Sequence, residues 1–269
     1  MIDHFAARRL LLSGELTIEG RLRAASNTTL RCIVTPIGES EEEVTWRCVY
    51  KPQAGERPLW DFPEGTLGRR EVATYAITEQ LGWGVVPPTV WREDGPLGPG
   101  MVQLWIDAVD DPGLVDLVSP GGVPQDWSSI VEGEDSDGSP IVLVHSADPD
   151  LERIAALDAI VNNADRKGGH LLRDGAGQVW AIDHGVTLAD EDKLRTVLWG
   201  WAGQPIRPDL VADMAQLAQA WDDGLPTDVL AALDPREITA LRRRLTALVT
   251  HGRMPVPGGE WPVLPWPVF

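Results

Sequence analysis

Hydrophobic positions in the first hundred residues recur mostly with a period of two, the spacing of a strand with one buried face. Residues 16–22 (LTIEGRL) and 29–34 (TLRCIV) carry β-prone side chains in partial alternation. They flank the polar stretch Ala24-Ala25-Ser26-Asn27-Thr28, so together they predict a hairpin. A third strand is expected over 44–51 (VTWRCVYK), stopped by Pro52, with the run Glu39-Ser40-Glu41-Glu42-Glu43 before it as a solvated turn. The period then changes. Thr66 can cap a helix running to about Leu81, with Ala73, Ala76, Ile77 and Leu81 on one face and Gly82 as its stop. Short strands are expected at 85–86 and 89–91, separated by Pro87-Pro88, and a further one at 101–106.

From about Asp111 the pattern reads as helices and loops. It predicts an acidic Gly/Ser loop at 133–139, a helix from about Pro149 to Val161, and a short hairpin from His170 to Asp183. Further helices are expected from roughly Pro208 to Trp221 and from Pro235 to Val249. No repeat of fixed period is present, and the Pro- and Trp-rich tail 255–269 has the character of an extended segment laid over a surface. A small β-rich lobe over residues 1–108 is thus expected to precede a larger α-rich lobe over 109–269.

Charge narrows the partners. The 269 residues carry 23 Lys+Arg against 41 Asp+Glu, a formal net charge of −18. That excess repels nucleic-acid backbones and anionic bilayers, whose binding relies on clustered basic side chains. The densest basic runs, Arg69-Arg70 and Arg242-Arg243-Arg244, are short. No apolar run approaches the roughly 20 residues needed to span a bilayer, and the first residues lack the basic and apolar regions of a signal peptide. A cytoplasmic protein with neither nucleic acid nor stable membrane insertion is expected. Cys32 and Cys48 fall at strand-like positions and read as buried free thiols. The twelve tryptophans are scattered and read as core and interface residues.

Candidate chemistry gathers between residues 162 and 185. Asn162-Asn163-Ala164-Asp165-Arg166-Lys167-Gly168-Gly169-His170 ends a helix in a polar turn, and Ile182-Asp183-His184-Gly185 follows the strand-like Gln178-Val179-Trp180-Ala181. Two acidic residues, Asp165 in a loop and Asp183 at a strand end, are joined by a hairpin able to fold them together. That is the layout of a metal and proton-transfer pair, though Asn/Asp/Gly loops also serve as ordinary turns.

Asp165-Arg166 with His170 five positions after Asp165, followed by Ala181-Ile182-Asp183-His184-Gly185, resembles the catalytic and metal-binding loops of phosphatidylinositol 3-/4-kinase-like proteins. These loops are counterparts of the protein-kinase catalytic loop and Asp-Phe-Gly segment. Val49-Tyr50-Lys51-Pro52 resembles the strand-end lysine of the same kinases, and Arg70-Glu71-Val72-Ala73 offers the helix glutamate that pairs with it. The resemblance covers about residues 20–190. It implies a two-lobed, protein-kinase-like α+β fold and an ATP-dependent phosphotransferase using Mg²⁺ or Mn²⁺. It makes Asp165 the base or hydroxyl-orienting residue, Asp183 the metal ligand, and Lys51, held by Glu71, the charge on the α/β-phosphates. Gln103-Leu104-Trp105-Ile106 becomes the hinge strand beside the adenine.

Two departures stand out. Ser26, Asn27 and Thr28 occupy the turn where a glycine-rich phosphate loop would sit, so they must use hydroxyls and amides, or they form a plain hairpin turn. His170 stands where the family usually has Asn. An imidazole prefers softer first-row metals than Mg²⁺, so His170 could bind Mn²⁺, hydrogen-bond Asp165, or mark a chain that binds nucleotide without turnover. The negative charge makes a protein hydroxyl, including the chain's own, a better acceptor than an anionic lipid, with a small-molecule acceptor left open. Asn163-Ala164-Asp165 is also compatible with the serine/threonine kinases of toxin–antitoxin modules, and a non-catalytic nucleotide-binding scaffold is the reading of another class.

Overall fold

A computed structural model describes residues 3–22, 26–37, 45–63, 65–110 and 113–269. The Glu39–Glu43 run, the Ala24-Ala25 part of the hairpin turn and Val44 lie outside the described residues.

The chain begins with a helix that the strand-dominated reading did not include, α1 (His4–Ser13), whose N-terminus Asp3 caps by accepting from the Phe5 and Ala6 amides. A five-stranded antiparallel sheet follows, built from β1 (Glu15–Arg21), β2 (Leu30–Thr35), β3 (Trp46–Pro52), β4 (Thr89–Arg92) and β5 (Gly100–Leu104) in the order β1-β2-β3-β5-β4. Alternation assigns its faces. Leu30, Cys32, Val34, Cys48, Tyr50, Val102 and Leu104 are buried together with Ala7 and Leu11 of α1. Lys51, one residue out of phase with Tyr50, therefore projects from the opposite face, and its partner across the sheet is Met101. Cys32 and Cys48 are the expected buried thiols, directly opposed on β2 and β3. Val85-Val86 forms no strand; the Val85 carbonyl instead accepts from the Ala181 amide.

On the Lys51 side of the sheet lies α2 (Leu67–Leu81), with Gly82 in the left-handed conformation as its C-cap. Thr66 precedes it, but the Thr66 hydroxyl donates to the Pro63 carbonyl, and the first-turn amides of Leu67 and Gly68 are capped by Glu56, eleven and twelve residues upstream. The helix is buried almost all round. It sits between sheet and large lobe, and its Ala73, Tyr75, Ile77 and Leu81 belong to the main core of the large lobe.

After β5 the chain crosses between the lobes, where Ala108 bridges to Asp174 and the Val109 amide donates to the Arg173 carbonyl. The next segment departs from the helix-and-loop expectation. β6 (Val115–Val118), β7 (Trp127–Glu134) and β8 (Pro140–Ser146) form a second antiparallel sheet, and the acidic Gly/Ser stretch divides between the end of β7 and its turn to β8. Most of β6 and β7 is exposed or half-buried, so little hydrophobic alternation betrays them. The remaining large lobe contains α3 (Pro149–Val161), the hairpin of β9 (Leu171–Arg173) and β10 (Val179–Ala181), α4 (Pro208–Ala220), a short α5 (Thr227–Ala232) not read from the sequence, and α6 (Pro235–His251). The two-lobed α+β arrangement expected from the sequence is the one observed.

Candidate active site

The strand end, the buried helix and the β10 terminus bring three charged side chains together. Lys51 Nζ lies 2.7 Å from Glu71 Oε1 and 3.0 Å from Asp183 Oδ1. Asp183 reaches this position with φ +60°, a left-handed conformation that Asp tolerates better than most residues. On its other oxygen, Oδ2, it faces His170 Nε2 at 3.4 Å, so the ring turns toward Asp183 rather than Asp165. The Nδ1 atom of the same ring is buried without a hydrogen-bond partner.

The electrostatics follow from burial and this one lysine. Lys51 holds Asp183 well below the usual carboxylate range, against the opposing effect of burial. Burial disfavours the Lys51 ammonium, yet Asp183 and Glu71 outweigh it and hold it above its ordinary value. Glu71 is enclosed on all sides, and burial pushes it up to about 7 despite the lysine. Burial also lowers His170 to about 4, so its ring is a neutral nitrogen donor at physiological pH.

Asp165 lies on the loop after α3. Its carboxylate pairs with Lys167 at 3.3 Å, its amide donates to Asn163 Oδ1 at 3.0 Å, and burial raises its pKa. Behind it lies a network not foreseen from the sequence. Arg166, fully buried, donates from Nε to Asp158 Oδ2 at 2.9 Å and from Nη2 to Asp158 Oδ1 at 3.0 Å. It also donates to the Ile182 carbonyl at 2.8 Å and meets His184 Nε2 at 2.6 Å. Asn163 Nδ2 donates to Asp158 as well. One arginine thus ties α3 to the residues on either side of Asp183. The available signal was Asp158 itself, a lone carboxylate in the apolar run IAALDAIV, which must find a buried partner. Lys167, two residues after Asp165, was likewise passed over.

The other predicted residues are placed less simply. Gln103 is buried on the Lys51 face of the sheet, but its side-chain amide donates to Thr89 Oγ1. Trp105 and Ile106 lie just past the end of β5. The Trp105 amide donates to the Arg47 carbonyl and its indole to Asp107, whereas the Ile106 amide has no partner among the described residues. In the turn after β1, Asn27 Oδ1 accepts from the Arg57 amide and the Thr28 amide donates to the Gly55 carbonyl. Of those three, only Ser26 is exposed.

No group of three or more His, Cys, Asp or Glu side chains converges at metal-ligand spacing among the described residues. A nucleotide-bound Mg²⁺ or Mn²⁺ needs only one or two protein ligands, with phosphates and water completing the shell. The Asp183 oxygen and the neutral His170 nitrogen facing it fit that requirement.

The fold is two-lobed and protein-kinase-like. Hydra Fam20, solved with sugar, superimposes with a TM-score of 0.51 at 13% identity, covering 93% of this chain and 90% of that one. The Helicobacter pylori proinflammatory kinase CtkA gives a TM-score of 0.47 at 11% identity over 91% of this chain and 94% of that one. The Fam20 likeness is one of fold. No family model matches the sequence. A protein of Mycobacterium tuberculosis, Rv2133c, is 46% identical over 97% of this chain and 94% of its own length, and the chain belongs to its family.

Proposed function

We propose that this protein is an ATP- and divalent-metal-dependent phosphotransferase of the phosphatidylinositol 3-/4-kinase-like type, acting on an alcohol. The observation that carries this reading is the line of contacts Glu71–Lys51–Asp183–His170 across the cleft, with Asp165 on the neighbouring loop. Lys51, held by Glu71, would neutralise the α/β-phosphates, and Asp183 with His170 would hold the divalent cation. That cation, when bound, supplies charge neutralisation on the transferring phosphoryl group. Asp165 would accept the hydrogen bond and then the proton of the acceptor hydroxyl, helped by a pKa already raised by burial. The Ile106 amide, unpartnered among the described residues, is available to an adenine edge, and the exposed Ser26 remains the phosphate-turn candidate. We set the lobe boundary at residue 108, where the chain bridges to Asp174. No helix among the described residues is long and apolar enough to cross a membrane. Two directly opposed free thiols suit the reducing cytoplasm proposed here.

The test is γ-phosphate consumption with Mg²⁺ and with Mn²⁺ in wild type, Asp165→Ala and Asp183→Ala. Asp165→Ala is expected to keep nucleotide binding and lose about 10²–10⁴-fold in turnover, the usual worth of a general base. Asp183→Ala should lose metal-dependent nucleotide binding. Wild-type turnover in either variant removes that residue from the mechanism.

A further inference from the structure

The segment that follows α6 is bound to the chain's own catalytic loop. It leaves α6 beside residues 203–204, where the Gly203 amide donates to the Met254 carbonyl and the Met254 amide to the Gln204 carbonyl. It then crosses the strip after Asp183: the Val263 carbonyl accepts from the Thr196 amide at 3.3 Å and from the Trp199 indole at 2.8 Å. Finally the Val268 carbonyl accepts from the Gly168 amide at 2.8 Å, three residues beyond Asp165. A side chain at Gly168 would collide with the ring of Phe269, which lies directly on that glycine. Leu264 and Val268 pack against the main core and Pro265 is buried, so residues 263–268 are fastened to the large lobe.

An extended peptide presented to Asp165 along this strip would use these same groups: the Gly168 and Thr196 amides and the Trp199 indole. All three are already satisfied from within the chain. Residues 251–269 contain no Ser, Thr or Tyr, so the bound segment offers no hydroxyl of its own to receive a phosphate. Resting on the phosphotransferase reading above, we propose that the acceptor is a small-molecule alcohol rather than a protein segment, and that residues 263–269 form one wall of its site with the half-exposed Phe269 at the mouth. In the transfer, the acceptor oxygen forms a bond to the γ-phosphorus as the bond from that phosphorus to the β,γ-bridging oxygen breaks. ADP leaves with the bond's electron pair, and the hydroxyl proton passes to Asp165.

The experiment supplies γ-labelled ATP to the full chain, wild type and Phe269→Ala, with two acceptor panels. One contains glycerol, myo-inositol, glucose, glucosamine, ethanolamine and serine; the other contains dephosphorylated casein and a pool of Ser-, Thr- and Tyr-containing peptides. Wild type should label a member of the first panel at least tenfold more per ATP consumed than any protein or peptide. Phe269→Ala should raise the KM for that small acceptor several-fold while the KM for ATP stays unchanged. Label in protein by wild type overturns the proposal, as does ATP consumption that labels neither panel. Protein label appearing only in Phe269→Ala would make the segment an inhibitory plug and equally overturn it. Those results would leave the phosphotransferase reading standing, whereas absence of any ATP consumption or binding would remove that reading as well.

Discussion

Replacing Asp158 by Ala should unfold the protein far more readily than any change at the cleft surface. Asp158 and Arg166 have no side-chain exposure, and two of the arginine's nitrogens are satisfied by this one carboxylate. Removing one partner of a buried ion pair leaves the other charge uncompensated, at a cost of about 3–5 kcal/mol. Total stabilities run to about 5–15 kcal/mol, so the loss is a large share of the whole. At roughly 2–4 °C per kcal/mol for a chain in this size range, the expected fall in Tm is about 6–20 °C. Asn163 loses its anchor too, and with it the support of the Asp165 amide. The double variant Asp158→Leu/Arg166→Met removes both charges together and should recover most of that stability, as apolar replacements of buried pairs often do. It should still transfer phosphate poorly, because the donors to the Ile182 carbonyl and to His184 are gone. Thermal and urea unfolding of the three proteins decide the matter. A single variant within about 1 kcal/mol of wild type, or a double variant no more stable than the single, would refute the reasoning.

Three further outcomes are expected. His170→Asn exchanges a nitrogen donor for an amide oxygen and should narrow or reverse a preference for Mn²⁺ over Mg²⁺ in nucleotide affinity; equal ratios in both proteins would show that His170 is not a ligand. The kcat–pH profile should fall on the acid side at a pH above the ordinary aspartate pKa, since burial raises Asp165 while Lys51 keeps Asp183 ionised; a limb at or below the ordinary value would contradict this. Lys51→Met takes away the cation that opposes burial at Glu71. A carboxyl with its folded pKa raised above the unfolded one loses stability as pH rises between the two, so the variant's deficit against wild type should widen from pH 5 to pH 8 in unfolding measurements.

Where the sequence was legible, a local cause stood behind it. The left-handed Gly82 ends α2 where the glycine was expected to, and α3 spans Pro149 to Val161 between an Asp148 cap and the left-handed Asn162. Lys51, Glu71 and Asp183 meet because a strand end, a helix and a hairpin end each present one polar group to the same gap. The misses have physical reasons as well. In the second sheet β6 and β7 bury no residue and carry little period, while the central β8 is a short continuous apolar run that periodicity alone does not assign to a strand. At Thr66 the helix start was readable but not its chemistry, because the capping carboxylate of Glu56 arrives from a preceding loop. Arg166 looked like a motif companion of Asp165, and only packing turned it toward Asp158 and Ile182.

The burial of α2 bears on how nucleotide would enter. Arg70, without solvent exposure, donates to the Thr187 carbonyl at 2.8 Å and pairs with Glu237 at the start of α6, and the indole of Trp221 after α4 donates to Gln80 at the far end of α2. By these ties the helix travels with the large lobe, although its sequence position places it among the strands. Any parting of the lobes must then run between α2 and the sheet, a seam spanned by Lys51 to Glu71 and by Arg69 to Trp91 and Glu93. The five strands would tilt as a lid about the 105–109 crossover, and each opening would draw Lys51 away from Glu71 and Asp183 in the same stroke. Opening of the cleft and disassembly of the charged cluster would then be one motion, with the lysine among its latches.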